Sequence, residues 1–120
     1  MTMKHAFRLR QASDFKRLRQ EGQTFRHPFL ILSLAANTLD HNRYGFITGR
    51  RIGKAVVRNR VRRRLREAVR HFHPQLAPGY DMVIVARPQI VCQPYTAIQL
   101  ALSQTLDRAG LLVNKDKPQP

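Results

Sequence analysis

Between Val57 and Phe72 two patterns are superposed that only one secondary structure satisfies. At 100° per residue, Val57, Val61, Leu65, Ala68, Val69 and Phe72 fall within an arc of about 120°, while Asn59, Arg60, Arg63, Arg66 and Arg70 lie between about 180° and 300°. The segment is therefore an amphipathic helix whose apolar face must pack on another layer, here a sheet. Its opposite face crowds guanidinium groups within one or two turns of each other, where like charges repel unless an anion is present. Folding does not need such a face. Solubility would be served by acids or by Lys with Glu, whereas Arg suits bidentate phosphate contacts and stacking on bases.

The rest of the charge sharpens that reading. The chain has 120 residues with 22 Lys and Arg against 7 Asp and Glu, a net +15, and 42% hydrophobic residues, enough for the core of one domain. From Arg50 to Arg70 ten basic residues face Glu67 alone, a net +9; from Lys4 to Arg26 the net is +5, and the remainder carries +1. Two basic elements thus sit on a nearly neutral scaffold, which points to a nucleic acid as partner. A membrane-surface helix is disfavoured, because the apolar arc is narrow and lacks Trp. No run approaches the roughly 18 apolar residues of a membrane span, and the basic N-terminus has no apolar core behind it, so a cytoplasmic chain with no membrane partner is expected.

Other elements follow from local signals. Ser13 can cap a short helix in which Phe15 and Leu18 share a face and Gly22 marks the stop. Phe29 to Ala36 and Tyr44 to Thr48 are β-prone and separated by the turn-rich stretch Asn37 to Asn42, which predicts a hairpin. Tyr80 to Ala86 reads as a buried strand, and Pro94 to Ala109, ended by Gly110, as an amphipathic helix over the sheet. Asn114 to Pro120 reads as a disordered tail, which leaves 1–113 as a single RNA-binding domain.

The chain offers little chemistry of its own. Its acids are scattered with no D-x-D or E-x-x-H pair, so neither a catalytic residue nor a metal ligand is expected. His71 and His73 are two apart and do not share a helix face, which reads as a surface cap at a helix end. Cys92 is alone, excluding an internal disulfide and a CxxC zinc site; it is expected to be a small buried residue beside the Met82 to Ala86 strand. The Gly45, Gly49 and Gly53 series does not make a phosphate loop, which would need Gly in place of Thr48 and Ser or Thr in place of Ala55. An RNA-processing subunit, a ribosomal or general RNA-binding protein and, least favoured, a self-contained nuclease remain open.

The run from Gly49-Arg50-Arg51-Ile52-Gly53-Lys54 through Arg58-Asn59-Arg60 to Arg66-Glu67 resembles the protein subunit of bacterial ribonuclease P. Arg8-Leu9, Asp14-Phe15, Phe29-Leu30 and Tyr80 to Arg87 extend the resemblance over nearly the whole chain. It implies an α+β fold, a single-domain α-β-β-β-α-β-α sandwich of the ribosomal protein S5 domain 2-like kind, with a mixed four-stranded sheet and a left-handed β-α-β crossover. The Thr24 to Ala36 region then holds two strands divided at Pro28. The implied function is to bind a catalytic RNA and the 5′ leader of precursor tRNA, assisting endonucleolytic removal of the leader. No catalytic residue of the protein, no obligate protein partner and no protein-bound cofactor are implied, the magnesium being held mainly by the RNA. Arg58, Asn59, Arg60, Arg62, Arg63 and Arg66 would contact the catalytic RNA, and Phe15, Arg50, Arg51, Lys54 and Arg87 the leader. Two departures, Arg19 and Leu32 where the family often has aromatic or large apolar side chains, imply a leader grip resting more on charge than on stacking.

Overall fold

The computed structural model describes residues 7–9 and 12–113; the expected tail from Asn114 to Pro120 lies outside them. In chain order the elements are α1 (Ala12–Glu21), β1 (Gln23–Arg26), β2 (Leu30–Ala36), β3 (Arg43–Ile47), α2 (Ala55–Phe72), β4 (Tyr80–Ala86) and α3 (Tyr95–Arg108). This is the α-β-β-β-α-β-α order, with the 24–36 region split into two strands around Pro28. Ser13 falls inside the first turn of α1 rather than before it, and the helix stops at Gly22, whose N–H donates to the Leu18 carbonyl. At the end of α3, Gly110 takes a φ of +75°, a left-handed turn that suits glycine.

The sheet order is β1-β2-β4-β3, with β1/β2 and β2/β4 antiparallel and β3/β4 parallel. The expected hairpin between the 29–36 and 44–48 segments is therefore not formed; β4 lies between them. The hairpin is made by β1 and β2 instead. The 37–42 connection is held to the end of β4, not folded into a two-strand turn: Asn37 Nδ2 donates to Asp81 Oδ1 at 2.9 Å, and Asn42 Oδ1 accepts from the Tyr80 N–H at 2.8 Å. β4 can take the central place because its 82–84 stretch is buried on both faces.

Alternation divides the sheet into two faces. On one, Leu30, Leu32 and Leu34, Met82 and Ile84, and Tyr44 with Phe46 join the main core beneath α2 and α3. From α2 this core takes Val61, Leu65, Ala68, Val69 and Phe72, the apolar arc read from the sequence, with Val57 half-buried at its edge. Leu65 is fully buried, so Leu65→Ala would cost about 2–5 kcal/mol. The other face is covered only in part. Leu18 and Phe15 of α1 pack with Leu9, Val83, Ala35 and Val85, leaving the end of the sheet near Ile47 open, with Ile47 39% exposed.

Candidate nucleic-acid interface

The sheet clamps one side of α2, and its position sorts the arginines into three rows. Asn59, Arg63 and Arg70 point outward and are exposed. Arg60 and Arg64 are half-buried on the flank toward α3, where Arg64 Nη1 donates to the Gln93 carbonyl just before that helix at 3.3 Å. Arg58, Arg62 and Arg66, successive at four-residue spacing, are half-buried on the flank toward β3. The single arc of exposed arginines expected from the helical wheel is thus divided, and Arg60 and Arg66 are less exposed than that wheel implied.

The β3 flank forms one strongly cationic feature. Arg62 Nη2 donates to Thr48 Oγ1 at 2.7 Å and its Nη1 to Asn59 Oδ1 at 3.0 Å, while the Arg66 guanidinium lies 5.9 Å from the centre of the Phe46 ring. Both line a pocket of about 150 Å³ with Arg8, Leu9, Tyr44, Gly45 and Phe46. Arg8 reaches it because the segment before α1 lies along β3: the Leu9 N–H donates to the Tyr44 carbonyl at 2.7 Å. Three guanidinium groups and no carboxylate line the pocket. The Arg66 pKa is lowered, by burial first and then by the charges of Arg8 and Arg62. An anion placed there would relieve that repulsion, and a phosphate oxygen fits the donor set.

A second cationic feature lies on the opposite face of the sheet, at the open end. A 3-10 turn over Arg50–Ile52 follows β3 and another over Pro88–Cys92 follows β4. Between them runs a cleft of about 640 Å³ floored by Ile31, Val85 and Ile47 and lined by Arg50, Arg51 and Arg87, with neither an acid nor an aromatic in its lining. Lys54 is exposed at the start of α2 and is not among the lining residues. Phe15 stands farther along the same face, its ring against Gly45; a Cβ at residue 45 would sit 2.8 Å from the Phe15 ring. The structure therefore brings Arg50, Arg51 and Arg87 together, sets Phe15 farther along the same face, and leaves Lys54 outside the cleft. Leu32 is fully buried on the core face, so it cannot speak for stacking in the cleft; its neighbours Ile31 and Ser33 face that side.

α1 is held over the sheet by one buried carboxylate. Asp81 in β4 is fully buried; Arg43 of β3 meets it with two hydrogen bonds, Nε at 2.9 Å and Nη2 at 2.8 Å, and Arg17 of α1 meets it from above. Burial pushes the Asp81 carboxyl up, but the hydrogen bonds from Arg43 and Asn37 and the charges of Arg43 and Arg17 outweigh it and hold it below the usual carboxylate range. Among the described residues no group of three His, Cys, Asp or Glu side chains lies close enough to share a metal ion.

The family model described as Ribonuclease P matches residues 3–110. The chain belongs to the ribonuclease P protein family. It is 48% identical over 111 residues to the ribonuclease P protein component of Chloroflexus aurantiacus (strain ATCC 29366 / DSM 635 / J-10-fl), covering 92% of this chain and 82% of that one. To the component of Roseiflexus sp. (strain RS-1) it is 43% identical over 118 residues, 98% and 97% of the two chains. Among solved structures, a Staphylococcus aureus RNase P protein mutant with defective mRNA degradation activity superposes with a TM-score of 0.84 at 25% identity, over 89% of this chain and 91% of that one. Membership makes the chain a component of ribonuclease P, an endoribonuclease whose RNA is its partner.

Against this family fold, two further sequence expectations need correction and several residues were missed. Cys92 is exposed in the turn after β4, not buried beside the strand, because Ile90 takes the inward position of that turn. His73 is half-buried at the end of α2 and not a surface cap; its Nδ1 lies 2.6 Å from the hydroxyl of Tyr44, whose pKa burial pushes up to about 12. Burial, and then the charge of His41, holds the His73 pKa down. Arg8, Phe46, Thr48 and the cleft floor were not singled out as site residues; the bridge of Arg8 to Tyr44 and the register of β3 on β4 bring them there. No helix among the described residues is long and apolar enough to cross a membrane.

Proposed function

We propose that this chain holds the catalytic RNA of ribonuclease P on the arginines of α2 and the single-stranded 5′ leader of precursor tRNA in the cleft, assisting removal of the leader. The observation that carries the reading is the cleft: an apolar floor on a sheet, lined by Arg50, Arg51 and Arg87 and by no carboxylate. Such a groove suits a flexible chain of phosphates with bases laid on an apolar surface, the arrangement that single-stranded nucleic acids favour. The pocket of Arg8, Arg62 and Arg66 and the outward Asn59 and Arg63 supply a separate surface for a folded RNA; Arg58 and Arg60 flank it. With no aromatic in the lining, the grip on the leader rests on charge, with the Phe15 ring farther along the same face. The donor set does not suit a protein-held magnesium ion, since the most buried carboxylate is already taken by Arg17, Arg43 and Asn37. The metal of the reaction is accordingly assigned to the RNA.

Reconstitution tests this. Precursor tRNA should be cut at the mature 5′ end only when a cognate catalytic RNA is added, with the protein improving cleavage of leader-bearing substrate. Cleavage by protein alone would make it a self-contained nuclease; no stimulation of the RNA would leave a ribosomal or general RNA-binding protein.

A further inference from the structure

The pairing register carries the cleft farther than its lining. Ile47, Val85 and Ile31 form one row across β3, β4 and β2, and the next Cα partner in that row is Arg26 of β1. Phe25 packs into the core on the opposite face, so the alternation of β1 turns Arg26 to the cleft side. The neighbouring row ends in two hydroxyls, Thr24 Oγ1 and Ser33 Oγ, 3.5 Å apart. Arg87 Nη1 reaches the carbonyl of His27, the residue after Arg26, at 3.4 Å. Arg26 is exposed, and no carboxylate lies within ion-pair distance of either arginine among the described residues. Two unneutralised guanidinium groups therefore converge at the β1 end of an apolar strip.

We propose that Arg26 is a further leader-binding residue: the single strand crosses the sheet from Arg50 and Arg51 over Ile47, Val85 and Ile31 to a distal phosphate site at Arg26 and Arg87. This rests on the reading of the cleft as the leader site. Three strand spacings separate β3 from β1, about 14 Å, so one extended strand can touch both ends. The strand enters at the Arg50–Arg51 end because that turn leads directly into α2, where the catalytic RNA is held. A charge on an edge strand can instead serve only to prevent edge-to-edge association, and the experiment separates the two roles.

Holoenzyme is assembled with wild-type protein, with Arg26→Gln, and with the Arg50→Gln/Arg51→Gln pair, and affinity is measured for precursor tRNAs whose leaders lengthen one nucleotide at a time. Arg26→Gln should bind mature tRNA and short-leader substrate like wild type and lose about tenfold once the leader passes a threshold length, with Arg26→Lys restoring most of it. The threshold should be longer than that of the Arg50/Arg51 variant. No loss at any length, an equal loss at every length, or increased self-association with unchanged leader affinity overturns the distal site. If the Arg50/Arg51 variant shows no leader-dependent loss of affinity relative to wild type, the cleft reading itself is overturned.

Discussion

Two groups of arginines lie close together on and beside β3 and meet opposite fates. Arg17 and Arg43 end on Asp81, and their charge is consumed in pinning α1 to the sheet. Arg8, Arg62 and Arg66 end on one another around a pocket with no acid in its lining, and their charge is left over. The first group resembles the inside of a stable protein; the second is a destabilising arrangement unless a polyanion arrives. The difference lies in the partner rather than the residue type, which is why counting arginines alone could not separate scaffold from site.

The largest effect should come from breaking the first group. Asp81→Asn leaves two guanidinium groups facing a neutral amide. Their side chains are 29% and 26% exposed, so water recovers part of the loss and the low end of the range for a broken buried pair applies, about 3 kcal/mol. Thermal melting should fall by on the order of 10 °C. The wild-type stability should also depend on pH with a definite sign. The folded Asp81 carboxyl lies below its ordinary value of 3.8, so its contribution is complete above about pH 4 and is lost as pH falls through the folded value. An Asp81→Asn melt with the same acid dependence as wild type would remove Asp81 from that role.

Breaking the second group should do the reverse. Arg62→Ala with Arg66→Ala removes repelling charges along with the Arg62 bonds to Thr48 and Asn59 and the Arg66 contact with the Phe46 ring, opposing effects that should leave the melting temperature nearly unmoved. Affinity for the catalytic RNA should fall at least about tenfold, and the slope of log K against log[salt] should flatten by about 1.4–1.8 for two phosphates released. A marked loss of stability with an unchanged slope would place these residues with Arg17 and Arg43, and the contrast between the groups would collapse.

The same contrast explains what the sequence made legible. The buried face of α2 could be read residue by residue, because apolar and charged positions differ sharply at a 3.6 period. Strand order could not: β2 and β4 are apolar at positions on both faces, so no period of two marks which side meets the helices and which floors the cleft. Asp81 at the start of an apolar run reads as a boundary residue, yet it is buried, since both its arginines come from segments far away in sequence. Leu32 shows the same limit, for a shift of one position separates the core face from the cleft face.

The finest test lies within α2 itself, between two exposed arginines two turns apart. Arg70 is bonded by Glu67, the single acid of the segment, and that pairing lowers the Glu67 pKa and raises that of Arg70. Arg63, seven residues before Arg70 and likewise exposed, has no carboxylate within ion-pair distance among the described residues. If an unspent charge is what marks the RNA surface, Arg63→Ala should flatten the salt slope by about 0.7–0.9. Arg70→Ala should leave it unchanged, because a guanidinium already neutralised by Glu67 releases no further counterion when RNA binds. Equal flattening by both substitutions would mean that RNA displaces Glu67, and that a surface ion pair, unlike the buried one at Asp81, does not remove an arginine from the interface.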